Sequence, residues 1–182
     1  MQNSLKSDPL LAAWAVLTTR SGLRLYVRPV RPEDRELLEA FLAGLAQDDL
    51  RFRFLTPLTR PSRSLLDALV AVDHVRTEDY LAFVEVDGKK MLVASAMLAA
   101  DPSLERAEVA IAVRPDHKQR GVGWTLLDFV ARDARARGIR RLESVECRDN
   151  RAAIDLEKEM GFTAGPYPGD ATLTLVCKAL AR

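Results

Sequence analysis

The sequence predicts an α/β domain, and three observations carry that expectation. Segments with strand-like alternation and segments with helical spacing follow one another along the chain. A hairpin turn joins two of the strands, and no linker, repeat or low-complexity tract divides the whole. The 182 residues, 48% hydrophobic and 29% charged, suffice for one domain with a sizeable core.

Taken in order, the first apolar stretch is "LLAAWAVL", residues 10–17. It has the look of the centre of a signal peptide. Lys6 and Asp8 precede it and "TTRSG" follows, however, without a small-x-small cleavage site. We read residues 1–22 as a helical extension packed on a domain running from 23 to 182. "LRLYVRPV", Leu23 to Val30, alternates in part and stops at a proline, as a short strand does. In "RPEDRELLEAFLAGL" a proline and two acids open a helix, and Leu37, Leu38, Phe41 and Leu45 recur at helical spacing. "SLLDALVAV" predicts a second short helix. "YLAFVEV" and "KMLVASAML" are strands around the turn "DGKK", and "RAEVAIAV" is another strand. "WTLLDFVARDARARG" keeps Trp124, Leu127, Val130, Ala131 and Ala134 on one side of a helix that Gly138 stops. A strand "RRLESVEC", a helix "NRAAIDLEKEMG" opened by Asn150, and a strand "ATLTLVC" complete the pattern.

Composition narrows the function. The formal net charge is +1, from 27 basic and 26 acidic residues, which argues against a nucleic-acid binder. Cys147 and Cys177 offer neither metal spacing nor a disulfide framework and suit a reducing cytoplasm. Two histidines, His74 and His117, make a zinc site hard to assemble, so no metal is expected. No apolar run approaches the roughly 20 residues a bilayer span needs, and no membrane partner is expected.

The segment "RPDHKQRGVGW", Arg114 to Trp124, is where chemistry concentrates. A strand ends at Val113, basic and polar residues follow, and Gly-x-Gly opens a helix. Glycines before a helix let backbone amides crowd round an anion, and a helix N-terminus favours negative charge. A Walker A loop would need a Lys after Gly123; a dinucleotide fingerprint would need Gly or Ala where Leu126 stands. What remains is a phosphate cradle. Gly121 and Gly123 remove side chains that would block a pyrophosphate, and the amides of Gln119, Arg120, Gly121, Val122, Gly123, Trp124 and Thr125 can point at it. Lys118 and Arg120 add charge at the rim.

This segment resembles motif A of the GNAT acyltransferase superfamily, Gln/Arg-x-x-Gly-x-Gly/Ala. The likeness extends over "AEVAIAVRPDHKQRGVGWTLLDFVARDARARGIRRLESVECRDNRAAIDLEKEMGF", residues 107–162. Upstream, "LRLYVRPVRPEDRELLEAFLAGLAQDDLRFRF" and "VDHVRTEDYLAFVEVDGKKMLVASAML" look like the catalytic domain of Pat-type protein lysine acetyltransferases. The resemblance implies a mixed, mostly antiparallel sheet flanked by helices. Acetyl-CoA would enter as co-substrate where the strand ending at Val113 and the one ending near Cys147 splay apart. It implies direct transfer of the acetyl group to a protein lysine, Glu108 as catalytic base, an oxyanion donor among the amides of Ile111, Ala112 and Val113, and a contact of Asn150 with the pantetheine. Two departures stand out. Lys118 replaces the Gln or Arg of the motif, and Glu157 occupies the position seven residues beyond Asn150 where many of these enzymes carry a tyrosine acid. A small-molecule amine acceptor, such as a polyamine, amino acid or drug, and a non-catalytic acyl-CoA sensor stay open, as do monomer and homodimer.

The residues themselves say how such chemistry would run. A lysine amine has a pKa of about 10.4, so well under about 1% is free nucleophile at pH 7, and a carboxylate must take its proton. On its strand Glu108 shares a face with Ala110 and Ala112, opposite Val109, Ile111 and Val113, which leaves room beside the acid. A plain edge glutamate paired with Arg106 is the other reading of it. A thiol, with a pKa near about 8.5, leaves tolerably well without a dedicated acid. Asn150 is otherwise a helix cap, Cys147 a small buried residue, His117 a solvated loop histidine, and "RFRF" (51–54) an amphipathic edge that, in the resemblance, borders the acceptor groove. Asp128–Arg132 and Asp133–Arg137 are spaced as salt-bridged helical pairs.

Overall fold

The computed structural model describes residues 14–180. Eight strands form one sheet: β1 Ala15–Thr18, β2 Arg24–Pro29, β3 Thr77–Val86, β4 Lys89–Ala100, β5 Arg106–Val113, β6 Arg141–Cys147, β7 Thr163–Pro166 and β8 Leu173–Ala179. Five α-helices accompany them: α1 Arg35–Ala43, α2 Gln47–Phe54, α3 Arg63–Val70, α4 Val122–Ala136 and α5 Arg151–Glu159. The strand order is β1-β2-β3-β4-β5-β6-β8-β7, and every neighbouring pair is antiparallel except β5 with β6.

Alternation along the strands sorts side chains onto two faces. Ala107 and Val109, with Ala94, Ala96 and Leu98 of β4, pack under Leu126, Leu127, Val130 and Ala134 of α4 and Ile154 of α5. The opposite face, with Leu81, Phe83, Leu92 and Ala112, carries Leu38, Phe41 and Leu42 of α1, Leu50 of α2 and Leu66 and Leu69 of α3. The sheet is thus sandwiched, α1–α3 on one side and α4–α5 on the other. The β3–β4 hairpin turns at Asp87 and Gly88, both at positive φ (50° and 74°), as a two-residue turn of this hand requires. Gly138 at φ 84° ends α4.

Three elements differ from expectation, and the first is α2: Gln47–Phe54 carries no apolar stripe of its own to mark a helix, and it is held by Leu50, buried in the α1–α3 layer. Ala15–Thr18, expected as helix, is a strand on the edge of the sheet, in register with Arg24–Val27. Trp14 meets Phe83 edge-on at 5.2 Å, so tertiary pairing overrides local helical preference there. The remainder of the expected extension, residues 1–13, lies outside the described residues. β7 was not expected: Thr-Ala-Gly-Pro is too short to show alternation and exists as the outer partner of β8. Among the described residues no helix is long and apolar enough to cross a membrane.

Candidate active site

The parallel pairing of β5 with β6 holds at Arg106–Arg141, Ala107–Leu142 and Glu108–Glu143, and then stops. β5 runs on beside β4 to Val113 while β6 follows β8 to Cys147. Between them lies a slot of about 380 Å³, walled by β5, the start of α4, β6, α5 and α2. Glu108 stands at the last paired position, where the two strands begin to part. The Arg114 amide donates to Val93 O of β4 at 2.8 Å. Successive residues of a strand turn their amides to opposite edges, so Val113 and Ile111 present theirs to the slot. The Ala112 amide faces β4 instead, and its side chain is buried in the α1–α3 layer.

The Gly-x-Gly loop is shaped by backbone geometry. Gln119 and Gly121 hold positive φ, 58° and 79°, and bring the chain round into α4. The Thr125 amide donates to Gly121 O at 3.0 Å, which leaves Val122, Gly123 and Trp124 as helix-start amides with no carbonyl behind them. A methyl on Gly123 would touch Leu156 Cδ1 of α5 at 3.6 Å, so this glycine keeps the passage between the two helices clear. The chain before β2 braces the loop from outside. The Ser21 hydroxyl donates to Arg120 O at 2.8 Å, and the Arg20 guanidinium lies 4.0 Å over the Trp124 ring.

Most of the expected residues converge on this slot: Glu108, Ile111, Ala112, Val113, Lys118, Gln119, Gly121, Val122, Gly123, Trp124 and Asn150 all line it. Arg120 and Thr125 do not; Arg120 contributes its carbonyl to the brace and Thr125 is buried in the helix packing. Lys118 is not a free charge at the rim, since its Nζ pairs with Asp49 of α2. His117 is buried rather than solvated, with Nδ1 bonded to Asp116 at 2.8 Å. Asn150 begins α5 without a side-chain cap and instead donates from Nδ2 to Glu146 Oε2 at 2.7 Å. The Asp128–Arg132 and Asp133–Arg137 pairs form, at 3.0 and 2.7 Å.

The electrostatics divide the slot in two. On the α2 side Glu108 is open to solvent at the slot, yet burial raises its pKa; Arg53 opposes that rise and Glu143 adds to it. Arg53 is buried, with Asp79 and Glu108 supporting its charge against burial. Asp79 is fully buried, and burial, with Glu78 adding to it, pushes its pKa up to about 7 against the pull of Arg53 and Ser95. On the α5 side Glu157 is 5% exposed, and its Oε2 is buried without a partner. Burial and then the neighbouring Glu146 push Glu157 up to about 8, against a hydrogen bond from Ser144 that lowers it. Glu146 accepts from Ser144 Oγ at 2.7 Å as well as from Asn150. Arg53 belongs to the "RFRF" segment, which in the resemblance borders the acceptor groove; sequence reasoning missed Ser144 and Glu146 in the slot and Asp79 behind Arg53. The available signal was an acid inside an apolar strand, in "TEDYLAFVEV" and "RRLESVEC".

Comparison with known proteins agrees with this architecture. Residues 43–162 match the model of the acetyltransferase (GNAT) family. The acetyltransferase PA5475 of Pseudomonas aeruginosa is 31% identical over 176 residues, 94% of each chain. The acetyltransferase Pat of Mycolicibacterium smegmatis is 27% identical over 144 residues, which cover 78% of this chain and 42% of that protein. Among solved structures, the GNAT domain of S. lividans PAT superposes with a TM-score of 0.82 and 26% identity, over 92% of this chain and 97% of that one. Fold, slot and relatives together define an N-acetyltransferase domain. The chain belongs to the acetyltransferase (GNAT) family.

Proposed function

We propose that this chain carries an acetyl group from acetyl-CoA to a lysine ε-amine of a protein, by direct attack of the amine on the thioester with Glu108 as general base. The observation that carries the reading is Glu108 at the point where β5 and β6 part, with the helix-start amides of Val122, Gly123 and Trp124 lining the same slot. Those amides and the start of α4 suit the pyrophosphate. Amides of Ile111 and Val113 at the slot edge suit the thioester oxygen as it gains charge. A carboxylate whose proton affinity is raised by burial is a better base for an ammonium than an ordinary glutamate. The likeness to the Pat proteins of S. lividans and M. smegmatis supports a protein lysine as acceptor.

The test begins with calorimetric titration of acetyl-CoA into the wild-type protein, Gly123→Glu and Glu108→Gln. Gly123→Glu puts a bulky anion into the passage beside Leu156 and is expected to abolish binding. Glu108→Gln is expected to keep the affinity while acetylation of a lysine peptide, followed by mass spectrometry and thiol release, falls by about 100-fold or more. No binding by the wild-type protein would reduce the loop to a helix entry and remove the proposal. Binding without thiol release in the presence of lysine peptides, small amines or polyamines would make the domain an acyl-CoA sensor.

A further inference from the structure

α2 has little of its own to hold it over the slot. Gln47–Phe54 buries one apolar side chain, Leu50, and its other buried side chain is the charged Arg53. Two ion pairs add to that hold, and each crosses to a loop beside the slot. Asp49 pairs with Lys118, between β5 and α4. Arg51 pairs with Asp149, between β6 and α5, at 2.6 Å. The helix held in this way contributes Asp49, Phe52 and Arg53 to the slot that Glu108 also lines. The loops that hold it lead into the amides of Val122, Gly123 and Trp124 and into Asn150. The wall on the α2 side is therefore fastened to the parts suited to the cofactor.

We infer that Asp49 and the pyrophosphate of acetyl-CoA compete for the Lys118 ammonium, so that Asp49 is a positioning residue whose latch on α2 the cofactor loosens. This rests on the reading above that the slot takes acetyl-CoA. Lys118 follows the short turn Pro115–His117, four residues before Val122, and its side chain is 46% exposed. Its ammonium is a point charge on a flexible four-carbon stem and turns readily from one anion to another, where the planar fork of an arginine would be fixed on one. Asp49 is the more buried partner. Its side chain is 11% exposed, and its Oδ2 is buried without a hydrogen-bond partner among the described residues. An anion so placed repels a second anion that draws on the same lysine, and each weakens the hold of the other. Asp49 can yield Lys118 because it lies in the first turn of α2, where helix-start amides favour a negative charge. Arg120, the other cation beside the Gly-x-Gly amides, is engaged through its carbonyl by Ser21, and its side chain is exposed.

The coupling is reciprocal. The factor by which the latch weakens binding of acetyl-CoA is the factor by which acetyl-CoA weakens the latch. For a partly exposed ion pair that factor is about two to five.

The experiment titrates acetyl-CoA calorimetrically into wild type, Asp49→Asn, Lys118→Met and the double variant. Low ionic strength keeps exposed charges unscreened, and melting curves verify folding. Asp49→Asn is expected to bind acetyl-CoA about two- to fivefold more tightly than wild type, and the gain is expected to disappear in the Lys118→Met background. Arg120→Met is the reference: in that background the gain from Asp49→Asn persists. Hydrogen exchange supplies a second readout, at the amides of Arg51, Phe52, Arg53 and Phe54 that the helix itself ties. In wild type acetyl-CoA is expected to speed their exchange by the same factor. In Lys118→Met they exchange faster than in wild type from the start, and acetyl-CoA adds nothing; this variant decides alone should Asp49→Asn fail to fold. Unchanged or weaker binding by Asp49→Asn, an equal gain in the Lys118→Met and Arg120→Met backgrounds, or unchanged or slower α2 exchange with acetyl-CoA overturns the inference while acetyl-CoA binding stands. Failure of the wild type to bind acetyl-CoA removes the parent reading and this one together.

Discussion

Glu108 and Glu157 line one slot, and burial raises the pKa of both, yet they are tuned in opposite directions by their neighbours. Glu108 has a buried arginine within electrostatic reach, and solvent at its open side. Glu157 faces another carboxyl, Glu146, which raises it and to which Ser144 Oγ and Asn150 Nδ2 also donate, with Ser144 the one donor that lowers Glu157. On the function proposed above Glu108 is the carboxyl that accepts a proton, whereas Glu157, pushed up to about 8, holds one at neutral pH. The lesson is that burial alone does not assign acid and base in a site; the partner that accompanies the burial does.

The strongest way to break this contrast is to remove the cation. Arg53→Met deletes the charge that faces both Glu108 and Asp79 and leaves the stem to fill its place. Breaking a buried pair costs about 3–5 kcal/mol when the remaining charge has no escape. Here Asp79 has one, because it can protonate. With a folded pKa of about 7, Asp79 is largely neutral at pH 6 in the wild type and largely ionised at pH 9. The stability deficit of Arg53→Met in urea unfolding is therefore expected to be larger at pH 9 than at pH 6. A deficit independent of pH would mean that Arg53 is held by packing and not by Asp79.

The second test acts on the other wall. Glu157 has a folded pKa of about 8 against 4.5 as its ordinary value, so the folded chain holds a proton that the unfolded chain loses between those limits. Wild-type stability contributed by this group falls as pH rises through that window and levels off above it. Glu157→Gln has no such loss. The melting temperature of the variant relative to wild type should climb from pH 5 to pH 9, and a flat difference would erase the asymmetry between the two carboxyls.

How far the site was legible follows from where its information resides. β5 was readable residue for residue because alternation, an acid and a closing basic segment all lie within eight neighbours. The loop and α4 were readable for the same reason: glycine spacing and helical periodicity are local. Arg53 and Asp79 sit on α2 and β3, far apart in sequence, and meet because α2 lies across the sheet. Asn150 is at a cap position by pattern, but Glu146, four residues earlier on β6, takes its amide and changes its job. The segment before β2 failed for another reason. Leu- and Ala-rich sequence favours helix in isolation, whereas an open sheet edge at Arg24–Val27 and the Phe83 ring supply pairing that no local pattern records.

The smallest effects separate the two glycines of the loop, and they bear on what that braced segment does. Gly121 adopts φ 79°, and a methyl there would come within 3.3 Å of Thr19 Cβ in the chain that braces the loop. Gly121→Ala is thus expected to cost about 1 kcal/mol of stability from backbone strain, with some further loss if Thr19 shifts. Gly123 lies within α4 at ordinary helical φ, and its methyl would make only van der Waals contact with Leu156. Alanine is also the better helix former, so Gly123→Ala should leave stability unchanged or slightly raised, within about 1 kcal/mol. Its effect is expected in acetyl-CoA affinity, since the methyl narrows the passage along which the slot is entered. Calorimetry and thermal melts on the two variants resolve the roles. If Gly121→Ala alone lowers stability and Gly123→Ala alone lowers affinity, the first glycine serves the turn and the second serves the ligand. If both variants lose stability equally, the second glycine is a packing residue, and the gap beside Leu156 is not the way in.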